Sequence, residues 1–136
     1  MNSLILNFNK TKIIHFTTKS NLGTSIYINH EHKHIENSQS TSLLGLILDK
    51  TLSWQLHIEK ICAKLKSACY ILRTLKPILS VSNLKMIYFS YIHSIITYGI
   101  ILGDNSTASN EVFKLQKRAI RIITNYHSGT SCRNLF

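Results

Sequence analysis

Apolar residues change their period along this chain once, near residue 50. Before that point they come in short β-branched and aromatic runs: Lys12–Thr17 (KIIHFT), Thr24–Asn29 (TSIYIN) and Leu43–Leu48 (LLGLIL). Runs of that length, bounded by turn residues, predict strands. Lys19-Ser20-Asn21-Leu22-Gly23 supplies turn chemistry between the first two, so they read as a β-hairpin. Ser3–Phe8 is a further short apolar stretch, and the polar segment His30–Ser40 extends the second strand before a loop. Gly45 falls in the middle of the third strand, where a glycine marks a bulge or a close approach by another backbone or a ligand.

After Asp49-Lys50-Thr51 turns the chain, with Thr51 or Ser53 available as a cap, the period becomes helical. Trp54, Ile58, Ile61, Cys62, Leu65, Cys69 and Leu72 form one stripe at spacings of three and four, with Lys60, Lys64 and Arg73 off its centre. Lys76-Pro77 ends this helix, because the residue before proline avoids the helical region. A second helix is predicted over Asn83–Leu102, capped by Ser80 or Ser82, with Leu84, Ile87, Tyr88, Tyr91, Ile92, Ile95 and Tyr98 on its apolar face. Gly103-Asp104-Asn105-Ser106 breaks it. A third helix, Asn110–Tyr126, follows a Ser109 cap, with Glu111 well placed for the helix dipole. On it Lys114, Lys117, Arg118 and Arg121 share one face at i, i+3, i+4 and i+7. Phe113, Gln116, Ile120 and Ile123 share another, broadened by Val112, Leu115, Ala119 and Ile122. The expected class is α+β: a small antiparallel sheet followed by a bundle of about three helices, divided as 1–50 and 51–136.

Charge sharpens this division. Of a net +10 over 136 residues, residues 1–49 hold four Lys/Arg against three acids, and residues 50–136 hold twelve against three. The helical part therefore carries +9, which suits a polyanion, the plainer reading being a solvated face. Cys62, Cys69 and Cys132 make an odd count, which fits a reducing compartment. Cys62 and Cys69 lie about 10 Å apart along a helix, too far to bridge, and read as small core residues. No secretory signal is evident, so an intracellular location, cytoplasmic or nuclear, is expected. Met86–Gly103 lacks charged residues but includes three tyrosines, two serines, a threonine and a histidine, which favours a buried helix over a membrane span.

His30, His32 and His34 alternate and on a strand would share one face about 7 Å apart. With only Glu31 and Glu36 as helpers, exposed strand-end histidines are the better reading than a metal site, and no metal ligands are assigned. The acids Glu31, Glu36, Asp49, Glu59, Asp104 and Glu111 stand singly, with no carboxylate pair of the kind that positions metal ions for phosphoryl transfer. No P-loop, G-x-S-x-G, H-E-x-x-H or C-x-x-C motif occurs. The residues by themselves mark no catalytic centre.

One ordered series remains. Asn7-x-x-Lys10-Thr11-x-x-Ile14-x-Phe16 is followed by Leu44-Gly45-x-x-Leu48-Asp49-x-x-Leu52-x-Trp54-x-x-His57-Ile58. Then come Lys64, Tyr98-Gly99, Leu115-Gln116-Lys117-Arg118-Ala119-x-Arg121 and Ser131-Cys132-Arg133. This series resembles the reverse transcriptase of non-LTR (LINE-type, jockey-like) retrotransposons, over nearly the whole chain. The resemblance is to the region after the catalytic Asp pair, so the chain reads as the end of a palm followed by a thumb, cut at both sides. It implies Lys10 as a candidate general acid toward the leaving pyrophosphate, and Leu44 and Gly45 as a primer grip. It also implies helices that hold an RNA template–DNA primer duplex by its phosphates.

On these grounds the candidate nucleic-acid-binding residues are Lys10, Leu44, Gly45, Lys60, Lys64, Lys114, Lys117, Arg118 and Arg121. The resemblance implies magnesium for the full-length enzyme but no cofactor for this chain, which alone is expected to be inactive. Its expected partners are nucleic acid and the missing palm and fingers portion, with no membrane. Two rival readings are a helical protein-interaction module and a remnant without function.

Overall fold

The computed structural model describes residues 7, 10–17, 28–30, 33–35, 37–100, 109–126 and 131–132. It divides the chain into two compact units, Met1–Trp54 and Gln55–Phe136. The first unit is built from antiparallel hairpins and the second from helices, so the α+β class, small sheets followed by a helical bundle, is the one observed.

In the first unit the strands are short and paired differently from their sequence reading. β1 (Ile28–His30) pairs with β2 (Lys33–Ile35), and β3 (Ser40–Leu43) pairs with β4 (Leu46–Asp49), giving two two-stranded sheets among the described residues rather than one. Most of the run Thr24–Asn29, the expected hairpin partner of Lys12–Thr17, lies outside the described residues. Among the described residues Lys12–Thr17 joins no ladder. It is extended, touches Asn37 through one parallel bridge at Ile13, and its Thr17 N–H donates to the Lys50 carbonyl at 3.0 Å. The turn expected at residues 19–23 lies outside the described residues. His30–Ser40 does not prolong a strand but folds back: His30 faces Lys33 and Asn29 faces His34 across the β1–β2 ladder. His30 and His34 thus lie on two strands, not at alternate positions of one, and the His34 ring meets the Asn29 side-chain oxygen at 3.1 Å.

The run Leu43–Leu48 is likewise two strand ends rather than one strand. Leu44 and Gly45 have φ of 49° and 85°, and Leu43 pairs with Leu46 across them. Two positive φ values in a two-residue loop define the type I′ turn, whose twist matches that of the flanking strands. Gly45 is therefore a turn glycine and not a strand-interior one. Leu44 takes the same left-handed region, which a γ-branched residue enters only at a cost, and is 83% exposed. At the end of β4, Asp49 gathers the next turn. Its carboxylate accepts from the Thr51 N–H and hydroxyl at 2.9 and 3.0 Å, and from the Ser53 N–H and hydroxyl at 3.0 and 2.6 Å. The two hydroxyls proposed as helix caps thus donate to Asp49.

The second unit follows its hydrophobic stripes more closely. α1 spans Gln55–Leu75, about 31 Å of helix at 1.5 Å per residue. It buries Ile58, Ile61, Cys62, Leu65, Cys69 and Leu72 as the spacing predicts, with His57 and Ala68 added. Trp54 stands just before the helix with φ of 60° and is half-buried. α1 stops two residues before Pro77. The next helix starts on Ser80, whose side chain accepts from the Asn83 N–H at 3.3 Å.

That next helix is interrupted. α2 (Val81–Ile87) passes into a π-helical turn, Tyr88–His93, and then into α3 (Ser94–Ile100). Its buried positions are Leu84, Tyr88, Ile92, Ile96 and Gly99, while Tyr91 and Tyr98 are about half exposed. Four residues of α-helix overshoot one turn by about 40°, so a run of four-residue steps winds off any fixed face. The wider π turn takes up this drift. It keeps Leu84, Tyr88, Ile92 and Ile96 in one line, so Ile96 joins the core; Ile95 packs half-buried against it as expected, and Tyr98 is about half exposed.

α4 covers Ser109–Thr124, so Ser109 is its first residue, and it is buried. Its core line is Val112, Leu115, Ala119 and Ile123, with Ile120 beside it. The expected line through Phe113 and Gln116 sits at the margin. Phe113 is 39% exposed, and Gln116 donates from Nε2 to the Tyr88 hydroxyl at 3.0 Å. α1, the middle helix and α4 share one apolar core, with α1 and α4 packed most extensively. Cys62 and Cys69 are free thiols inside it. Among the described residues no helix is long and apolar enough to cross a membrane.

Candidate nucleic-acid interface

Two long-range contacts set the register of α1 against α4. The Cys69 thiol reaches the Leu115 carbonyl at 3.7 Å, and the Lys76 ammonium donates to Asn125 Oδ1 at 2.6 Å. Moving forward along α1 thus means moving forward along α4, so these helices run parallel. The middle helix returns between them, since buried Gly99 lies against Ile61 and His57 near the start of α1. A methyl group at Gly99 would collide with the Ile61 side chain, so glycine permits the close approach of α3 to α1.

Parallel packing places both helix C-termini side by side, and each end is rich in cations. Arg73 and Lys76 from α1 and its exit, with Arg118 and Arg121 from α4, line a groove of about 580 Å³ together with Ile122, Asn125 and Tyr126. Among the described residues no carboxylate is in that lining. Helix C-termini carry about half a negative charge each, so two of them offset about one unit of the four positive charges. Arg73 and Arg118 are close enough to bear on the Cys69 thiol from opposite helices. Burial pushes that thiol up and outweighs the two guanidinium groups, so it stays protonated and unreactive. Burial does the same to Cys62, reinforced by the Glu111 carboxylate.

The groove joins only part of the set expected from sequence. Arg118 and Arg121 line it. Lys114 and Lys117 are exposed on α4 outside the lining, so the four-cation face is a ridge whose C-terminal half turns into the groove. Lys60 and Lys64 are exposed one turn apart near the start of α1, beside His57. Buried His57 is held below its ordinary value of 6.5 chiefly by burial, a backbone hydrogen bond with Gly99 opposing and the charges of Lys60 and Lys64 adding to the depression. Lys10, Leu44 and Gly45 belong to the first unit. Lys10 is exposed in a short turn whose N–H donates to the Asn7 carbonyl at 3.1 Å, and the Thr11 hydroxyl donates to the same oxygen at 2.8 Å. Leu44 and Gly45 form the exposed hairpin tip.

Lys76, Asn125 and Tyr126 are groove residues that sequence reasoning did not single out, and Arg73 was seen only as flanking the α1 stripe. The signal was present as two cation pairs at i, i+3, each close to the end of a helix. Only the parallel register gives those pairs a common site. Among the described residues no group of three His, Cys, Asp or Glu side chains could hold a metal ion. The chain matches no family model, no curated protein and no solved structure.

Proposed function

We propose that the helical unit binds nucleic acid through its phosphates. In this reading the chain is the palm-end and thumb-like part of an RNA-directed DNA polymerase of the non-LTR retrotransposon kind, contributing template–primer binding. The observation that carries the nucleic-acid part is the groove formed by Arg73, Lys76, Arg118 and Arg121, with no carboxylate among its described residues, continued along α4 by Lys114 and Lys117. Guanidinium forks match phosphate oxygens in pairs, and cations on a concave wall focus their field toward a polyanion. The polymerase part rests on the ordered series of motifs from Asn7 to Arg133. The magnesium that such an enzyme uses does not fit the residues present, because the six acids stand singly along the sequence. Bond-making would then rest with carboxylates of another segment or chain, and Lys10, Leu44 and Gly45 would act only beside them.

The test is a salt titration of binding to an RNA–DNA hybrid. Replacing Lys114, Lys117, Arg118 and Arg121 by Gln, one at a time, should weaken binding to all sequences alike. Each lost phosphate contact should reduce the slope of log K against log salt by about 0.9. Affinity that does not change with salt would refute the reading. A second reading, a protein-interaction module, is favoured by the apolar side chains exposed at the start of the middle helix: Ile78, Val81, Met86 and Phe89. It predicts that the four substitutions leave partner binding intact.

A further inference from the structure

The groove differs in kind from the α4 ridge. Neutralising the phosphates of a duplex needs only exposed cations, whereas this site is a shallow, open groove of about 580 Å³ that places Tyr126 and Ile122 among its cations. Its volume lies within the range of small-ligand sites, roughly 300–1,000 Å³. Tyr126 follows the end of α4 and is 52% exposed. Asn125, at φ of 66°, turns the chain there, and the Lys76–Asn125 hydrogen bond ties the ends of the two helices together. That bond occupies Asn125 Oδ1 and one of the three Lys76 hydrogens, leaving the Asn125 amide N–H groups and the rest of the ammonium as donors.

We propose that this groove seats one unpaired nucleotide of a single-stranded extension. The guanidinium groups of Arg73 and Arg118 hold its phosphate, and the base lies on the face of Tyr126. A planar ring beside two guanidinium groups from different helices provides for both halves of a nucleotide, one by stacking and the other by charge-assisted hydrogen bonds. Inside a duplex paired bases stack on each other and only a terminal pair has an open face, held in place by its partner. The site therefore favours an unpaired extension over a duplex. The proposal rests on the nucleic-acid reading above and adds to it a preference for an unpaired strand.

The test compares the full chain binding a blunt RNA–DNA hybrid and the same hybrid carrying a short single-stranded pyrimidine extension. The extension is expected to tighten binding by about tenfold, the size of one base–aromatic stack. Tyr126→Ala should abolish that gain, the ratio of the two affinities falling to one, while leaving the helical circular dichroism unchanged, and Tyr126→Phe should retain it. Arg73→Gln, on another helix, should reduce the gain independently. Equal affinity for both hybrids, or a gain that survives Tyr126→Ala, overturns the proposal and leaves duplex binding standing. Failure to bind either hybrid overturns both.

Discussion

The two units of this chain are held by different means. In the first, the described strands are three or four residues long, and Ile35 is the buried apolar residue among them. What positions them is turns and single hydrogen bonds: the Leu44-Gly45 turn, the Asp49 carboxylate gathering Thr51 and Ser53, and longer-range backbone bonds from Thr17 to Lys50 and from Ser38 to Ile13. In the second, helices of up to 21 residues meet in one core running from Ile58 to Ile123. The contrast teaches where each unit is vulnerable. Turn residues govern the first, and buried side chains and helix register govern the second.

The largest expected effect is in the second unit. Leu65→Ala, at a position 1% exposed, should cost about 2–5 kcal/mol in chemical denaturation through lost burial and the cavity left behind. A loss below about 1 kcal/mol would mean that α1 and α4 do not share a tight core. In the first unit Gly45→Val should cost about 1–3 kcal/mol, because a β-branched residue is forced to a φ of 85°. The damage should appear as lost hydrogen-exchange protection in β3 and β4, and protection loss confined to the helices would contradict the turn assignment.

The pH dependence comes next. His57 is held below 6.5 in the folded chain, so the unfolded chain binds a proton first as the solution is acidified. Its stability contribution is full above 6.5 and is lost as pH falls through that value toward the lower folded one. His57→Gln should flatten that part of the stability profile relative to wild type, and identical slopes would exclude His57 as the cause. Asp49 works in a more acidic window. Burial alone would raise its pKa, but the hydrogen bonds from Ser53 and Thr51 outweigh burial and hold it below 3.8. Its contribution is therefore present above 3.8 and lost as pH falls through the lower folded value.

The smallest effect is a gain. Leu44→Asn should stabilise the β3–β4 hairpin by about 0.5–1 kcal/mol, because Asn-Gly suits the two left-handed positions of a type I′ turn better than Leu-Gly. Unchanged or lower hairpin protection would show that exposed Leu44 is held in place by a packing partner.

Legibility followed the same boundary. The α1 stripe was readable because straight α-helix repeats a face at a fixed period, and Pro77 and Ser80 mark the end of one helix and the start of the next. The Leu43–Leu48 run misled because six apolar-rich residues look alike as one buried strand or as two strand ends around a turn. Leu44 carries none of the usual turn chemistry. In the middle helix the period was read as α throughout, whereas the π turn at Tyr88–His93 brings Ile96 and Gly99 into the interior, with Ile95 half-buried beside them and Tyr98 about half exposed.

Sequence alone determined the α+β order, the apolar stripe of α1, a serine cap at Ser80 or Ser82, the core role of the two helical cysteines and the excess of positive charge from residue 50 onward. These are properties of neighbours a few residues apart, set by side-chain period, capping chemistry and charge. The tertiary structure decided that α1 and α4 run parallel and in which register, and so brought Arg73 and Lys76 beside Arg118, Arg121 and Tyr126. That choice depends on shape matching between faces, on the room left by Gly99, and on a contact such as Lys76 to Asn125 spanning 49 positions. No local period encodes such a pairing, because each helix presents the same stripe whichever way its neighbour runs.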